Sequence, residues 1–342
     1  MSKTVLLTGA SGYIAKHIAL QLLNAGYVVR CTVRSLARAA EVTEAVRPYL
    51  DDASDLDKRL TFVALDLTKD AGWDEAMAGI DVLMHTASPF PLNPPKDEDD
   101  LIRPAVDGAL RAVRAAHKAG VTRVVMTSST AAISGSELPP GDSSFDETNW
   151  TDPADPTISA YTKSKTLAEK AVWDFVATEA PEMQVTMINP GFVLGAPLDS
   201  NFGSSIKVIE RILKAKDPMV PNVGFMTVDI RDVAEMHVTV IDQPETAGQR
   251  IMTVESFMTF AEIAQAIKTA YPDRRIVTRV APDVVVKFLA LFDGAIRQIV
   301  PSLGRVDKFD NSRAKATLGH ALHQSHKAVV SSAAYLIDNR LV

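Results

Sequence analysis

Hydrophobic and polar positions alternate along the first half of the chain in two recurring periods. Short apolar runs at Lys3 to Leu7, Val28 to Val33, Leu60 to Leu65, Asp81 to Thr86, Thr122 to Met126 and Val185 to Ile188 predict buried strands. Between them the period changes to three or four. Ile14, Ile18 and Leu22 predict a helix that Gly26 ends, and residues about 99 to 119 predict another that stops at Gly120. Ala168, Val172 and Phe175 give an apolar face to a helix near Ile158 to Thr178. Asp97-Glu-Asp-Asp100 reads as the solvated start of the second helix, where the dipole favours acids. Strands alternating with helices imply an α/β fold, a doubly wound parallel sheet with right-handed crossovers.

Beyond Gly195 the period is less regular. Helical stretches near 204–216, 260–271, 283–299 and 326–340 alternate with short strands such as Arg250 to Val254, which predicts a smaller, mostly helical C-terminal substrate lobe. The expected division gives residues 1–195 to the sheet domain, with 229–254 returning to it, and 196–228 and 255–342 to the lobe. Asp229-Ile-Arg-Asp-Val-Ala-Glu is expected to lead back to the main sheet before a further helix. A loop from about 133 to 157, rich in Gly, Pro, Asp and Ser, is long for a compact domain; it carries Trp150, expected to wall a pocket. Ala87-Ser-Pro-Phe-Pro-Leu-Asn-Pro-Pro95 is too rich in proline for strand or helix and leaves the carboxyl edge of the sheet. No internal repeat or low-complexity segment is found.

Composition narrows the classes. A formal charge of −6 over 342 residues argues against nucleic acid as a main partner. Cys31 is the only cysteine, so no internal disulfide or cysteine-rich metal site can form. Residues 3 to 7 are needed as the first strand, so no secretory signal is expected, and the protein is expected to be cytoplasmic. The most apolar stretch, Val284 to Phe292, is interrupted by Lys287 and too short to span a bilayer; a buried helix is expected there.

The candidate chemistry begins at Thr8-Gly-Ala-Ser-Gly-Tyr-Ile-Ala15. A strand, a glycine turn and a helix start describe a phosphate site: Gly9 bends where a Cβ would clash, and Gly12 lets the backbone approach a pyrophosphate. Ala15 takes the third small position. After the second strand stands Arg34, with Arg38 a turn later, where an acid would select NAD; both suit a 2′-phosphate. Tyr161 and Lys165 are four apart on one predicted helix and can touch. A carbonyl reduced by hydride needs a proton and a donor for the developing alkoxide. A tyrosine of pKa about 10 becomes a usable acid beside an ammonium that favours its phenolate. Ser129, at the end of a predicted strand, is placed to hold the carbonyl oxygen.

These segments, together with Val33-Arg34, His85-Thr-Ala-Ser-Pro-Phe90, Val125-Met-Thr-Ser-Ser129, Asn189-Pro-Gly-Phe-Val-Leu-Gly195 and Asp310-Asn-Ser-Arg-Ala-Lys315, resemble the extended short-chain dehydrogenases/reductases. The chain is similar to their dihydroflavonol reductase, cinnamoyl-CoA reductase and yeast-type aldehyde (methylglyoxal) reductase group. The resemblance spans the whole chain and implies a Rossmann-type sheet and an NADPH-dependent carbonyl reductase. It implies Tyr161 as proton donor, Lys165 as the residue that lowers its pKa and holds the nicotinamide ribose, and Ser129 as the carbonyl-binding hydroxyl. For NADPH it implies Gly9, Ser11, Gly12, Tyr13 and Ile14 at the pyrophosphate, Arg34 and Arg38 at the 2′-phosphate, and Asp66 and Leu67 at adenine. Thr86, Ala87 and Ser88 would lie by the ribose, and Pro190 and Val193 would place the carboxamide. One departure is Arg111, where many relatives carry an asparagine.

His320, His323 and His326 recur every three residues, but a solvated segment rather than a metal site is expected. His85 is expected to be packed or supporting. Phe90, Trp150, Phe192, Phe202 and Phe225 are candidates to line an apolar pocket. An NAD-dependent sugar-nucleotide epimerase or dehydratase would want an acid where Arg34 stands. A non-enzymatic NADP-sensing protein would typically lack the tyrosine or the lysine. The expected partner is a small-molecule carbonyl substrate, without nucleic acid or membrane, for a monomer or homodimer.

Overall fold

The computed structural model describes residues 2–88 and 97–342. The proline-rich stretch at 89–96, with Phe90, lies outside the described residues. Seven parallel strands form the main sheet: β1 (Thr4–Thr8), β2 (Val28–Val33), β3 (Leu60–Ala64), β4 (Val82–His85), β5 (Arg123–Thr127), β6 (Gln184–Pro190) and, after β7 (Phe192–Leu194) and β8 (Gly224–Asp229), β9 (Arg250–Thr253). Their order is β3-β2-β1-β4-β5-β6-β9, so direction of growth reverses between β1 and β4. β10 (Ser256–Thr259), β8 and β7 make a second sheet in which β10 runs antiparallel to β8 and β7 parallel to it.

Alternation along each strand builds two cores. In β1, Val5 and Leu7 face one side and Leu6 the other, all fully buried. The first side is covered by helices Tyr13–Asn24 and Ile230–Thr239, which pack together. The second is covered by Asp99–Lys118 and Ala160–Thr178, also packed on each other.

Three expectations are corrected. Asp229-Ile-Arg-Asp-Val-Ala-Glu does not lead back to the main sheet before a helix. Asp229 ends β8 in the second sheet and caps the helix Ile230–Thr239 itself, its carboxylate accepting from the Arg231 N–H at 2.9 Å. The chain rejoins the main sheet only at β9. The predicted helix 283–299 is two helices, Asp283–Leu289 and Gly294–Ile299. Asp293 accepts from the Ile296 N–H and starts the second one. The run Val284 to Phe292 is not buried. Val286 and Ala290 turn inward, while Val284, Phe288 and Phe292 are 73%, 60% and 77% exposed. Hydrophobicity alone does not bury a segment that has only one face against the protein.

Candidate active site

The carboxyl ends of β1 and β4 meet where strand order reverses, the usual ligand crevice of such sheets. The turn after β1 fits that place closely. Gly9 has φ of +70°, and a Cβ there would lie 2.9 Å from Ala87 Cα. The Gly12 N–H donates to the Gly9 carbonyl at 2.9 Å, and the helix Tyr13–Asn24 starts without a side-chain cap. Its first amides therefore keep their hydrogens for an anion. The Thr8 hydroxyl accepts from the N–H groups of Thr86 and Ala87, both at 3.1 Å, which leaves its proton for His85 Nδ1 at 2.9 Å. Burial, and then the charge of Lys165, hold His85 down at about 3, so it stays neutral and packed.

A cavity of about 750 Å³ runs from this turn across the sheet edge. Gly9, Gly12, Tyr13 and Ile14 line one end, and Thr86, Ser88, Pro190 and Val193 its middle. Ser129, Tyr161 and Lys165 line it too. β5 delivers Ser129. The helix Ala160–Thr178 delivers the other two, with Ser159 capping it by accepting from the Thr162 N–H. The hydroxyls of Ser129 and Tyr161 are hydrogen-bonded. Burial raises the Tyr161 phenol above its ordinary range and outweighs the lowering from Ser129, so the net shift runs opposite to the depression expected from Lys165. Burial pushes Lys165 down to about 8, with Glu169 opposing that fall.

Other predicted residues sit around this core differently. Tyr13 contributes backbone, because its buried phenol donates to the Gly195 carbonyl at 2.9 Å. Ser11 lies beside the turn, its carbonyl accepting from Asn201 at 2.9 Å. Arg34 is exposed, and its charge helps lower Asp66, after the hydrogen bonds from Thr68. Arg38 is held by Glu41, its Nε donating to Oε2 at 3.0 Å and its Nη2 to Oε2 and Oε1 at 2.9 and 3.2 Å, rather than standing beside Arg34. Burial pushes Glu41 up, but bonds from Lys16, Asn201 and Arg38 hold it at about 2. Leu67 packs in the second core, its carbonyl fixed by Arg111 at 2.7 Å. Trp150 is not a cavity wall: it stacks on the Arg250 guanidinium, 3.7 Å from its ring centre. Phe202 packs on the first core instead, while Phe192 and Phe225 do line the cavity, stacked at 4.3 Å. His320 and His323 pair with separate carboxylates, Glu235 at 2.9 Å and Asp232 at 2.6 Å. Among the described residues no group of three His, Cys, Asp or Glu could hold a metal, and no helix is long and apolar enough to cross a membrane.

Sequence reading missed two groups. Arg305 and Asp307, paired at 2.6 Å, stand at the mouth where the cavity meets a second one of about 740 Å³. Nothing in their local sequence signals this. Glu169 and Arg250 form a buried ion pair at 2.6 Å beneath Ser128 and Ser129. Helical spacing signals Glu169, four residues past Lys165.

A doubly wound sheet with an open helix start at its switch point, and a serine, tyrosine and lysine on the same cavity, defines a dinucleotide-binding oxidoreductase. The chain belongs to the NAD dependent epimerase/dehydratase family, the extended short-chain dehydrogenases/reductases, whose sequence model matches residues 5–254. It is 31% identical to the ketoreductase azaE of Aspergillus niger over 99% of this chain and 98% of that one. It is 33% identical to cinnamoyl-CoA reductase 2 of Arabidopsis thaliana, over 81% and 80%. The yeast methylglyoxal/isovaleraldehyde reductase Gre2, solved with NADPH, superposes with a TM-score of 0.81 at 25% identity, covering 99% of this chain and all of that one.

Proposed function

We propose that this chain is an NADPH-dependent carbonyl reductase that converts an aldehyde or ketone to an alcohol. The observation that carries the reading is the single cavity shared by the glycine turn and by Ser129, Tyr161 and Lys165. The residues fit the cofactor: Gly9 lets the turn close against Ala87 where a Cβ would clash, the helix start offers free amides, and Arg34 suits a 2′-phosphate. Ser11, Gly12, Tyr13 and Ile14 would hold the pyrophosphate through backbone, with Arg34 at the 2′-phosphate and Arg38 reaching it on leaving Glu41. Asp66 and Leu67 would border adenine, Thr86, Ala87 and Ser88 the ribose region, and Pro190 and Val193 the carboxamide. When bound, NADPH supplies a hydride to the carbonyl carbon.

The chain's own groups do the rest. Ser129 donates to the carbonyl oxygen and fixes it beside the Tyr161 hydroxyl. Tyr161 gives its proton to the oxygen as negative charge develops there, completing the alcohol. The Lys165 ammonium stabilises the phenolate left behind, which regains a proton from solvent. Residues 1–195 and 229–254 would serve the cofactor, and 196–228 with 255–342 the substrate, through Phe225, Met226, Ser302 and Arg305 on the cavity wall.

The test is the rate of NADPH oxidation, beside NADH, with a panel of aldehydes, α-ketoesters, diketones and aryl ketones. Turnover with NADPH favoured is the expected result. Tyr161→Phe should lower kcat by about 10²–10⁴-fold with NADPH binding kept; an unchanged rate would end the mechanism.

A further inference from the structure

We propose that Glu169 is a positioning residue of the active site, whose buried carboxylate fixes the Ser128–Ser129 turn and keeps the ammonium of Lys165 charged. This rests on the reading of Tyr161 and Lys165 given above. Tyr161, Lys165 and Glu169 recur every four residues and share one face of their helix. Tyr161 and Lys165 face the main cavity, and Glu169 continues the row into the core, fully covered.

Glu169 is the centre of a network. Its Oε2 accepts from the Ser128 hydroxyl and from Asn189 Nδ2 at 2.8 Å. The same Asn189 amide donates to the Ser129 carbonyl at 3.1 Å, so the main chain of the carbonyl-binding serine is tied to this carboxylate. Oε1 accepts from Arg250 Nε at 2.6 Å and from Trp173 Nε1 at 3.3 Å. Arg250 spends three of its four other hydrogens on the carbonyls of Ala132, Glu147 and Asn149, at 3.1, 3.0 and 2.6 Å. One buried pair thus fixes the serine turn, borders the lysine and holds the start of the long loop and its stretch at 147–149. A buried charge pair of this kind is a weak source of stability compared with an apolar pair. Its arrangement around reacting groups suits a positioning role.

Lys165 and Glu169 line the same small cavity of about 10 Å³, enough for one water. β5 contributes Met126, Thr127 and Ser128 to it, and the helix Asp99–Lys118 contributes only Ala105 and Ala109, which bring no charge. Among the described residues the titratable groups nearest Lys165 are Tyr161 and Glu169 on its own helix and His85 on β4, with Arg250 on β9 facing Glu169, while Arg305 and Asp307 line the main cavity that Lys165 also borders. His85 is neutral, which leaves Glu169 to oppose the desolvation of the lysine. Without that anion a buried ammonium gives up its proton at lower pH.

The deciding experiment is the pH profile of kcat/KM for Glu169→Gln. In the wild type the basic limb should fall as pH rises past about 8, where burial brings Lys165 to lose its proton. In Glu169→Gln the fall should begin about one pH unit or more earlier, with NADPH binding at pH 6, read by nicotinamide fluorescence, retained. Glu169→Asp keeps the charge and should return the limb towards the wild-type position. Should Glu169→Gln fail to fold, Glu169→Gln/Arg250→Gln removes both charges together and should show the same early fall. An unshifted limb in a folded variant overturns the proposal. Tyr161→Phe runs beside it. Activity there overturns the underlying reading, whereas an inactive Tyr161→Phe with an unshifted Glu169→Gln overturns the role of Glu169 alone.

Discussion

Arg34 and Arg38 lie one turn apart and keep different company. Arg34 is exposed, near Asp66, while Arg38 is clamped on Glu41. Arg34→Asp should therefore do most of the damage to NADPH preference. A charge-assisted contact is worth about 1.5–3 kcal/mol, so the ratio of NADPH to NADH kcat/KM should fall roughly 10- to 100-fold. Titrating both cofactors against the variant checks it; an unchanged ratio removes Arg34 from the phosphate site. Arg34 was legible in sequence because it follows a strand whose end the apolar run marks. Glu41 was not, since it stands eight residues past that strand and reaches back through a short helix.

Whole elements were legible where one period persisted. β2 falls at Val28–Val33 as its apolar run predicts, and the helix Asp99–Lys118 ends beside Gly120, whose φ is +74°. Reading failed where an element depends on a distant partner. β7 is three residues long and pairs with β8 more than thirty residues on, so no local pattern announces the second sheet. The link between the two sheets is Gly191, where an added Cβ would lie 2.1 Å from the Met226 carbonyl oxygen. That atom is backbone and cannot swing away. Gly191→Ala should cost about 1–3 kcal/mol, comparable to an overpacked core. Urea unfolding would show it as a lowered midpoint, and a midpoint equal to wild type would mean that the sheets separate easily.

Across the whole molecule, three histidines are buried and neutral. Burial lowers His17 to about 4, His85 to about 3 and His237 to about 4, from an ordinary 6.5. Below pH 6.5 the unfolded chain binds protons that the folded chain refuses, so stability must fall with falling pH. The contribution is fully present above 6.5 and declines through about 4, with a slope of up to about 4 kcal/mol per pH unit if all three titrate together. Chemical unfolding from pH 7.5 to 4.5 tests this, and a flat stability across that range would contradict it. Ser129, Tyr161 and Lys165 were readable as a set because each lies at a predictable strand end or helix turn. The Arg250 pair beneath them was not, because it joins residues 81 apart.

The start of the 133–157 loop and its stretch at 147–149 are held by main-chain carbonyls on the Arg250 guanidinium, and carbonyls are the same whatever side chain they carry. Within residues 136–144, Ser136 accepts from the Asp152 N–H at 3.0 Å, Asp142 from the Asn149 amide at 3.0 Å, and Leu138 packs on the small core around Ile133, so these three side chains tie the span down. A lineage can rewrite the remaining positions, or an engineer can exchange them, and reshape the second cavity while the Arg250 anchors below stay as they are.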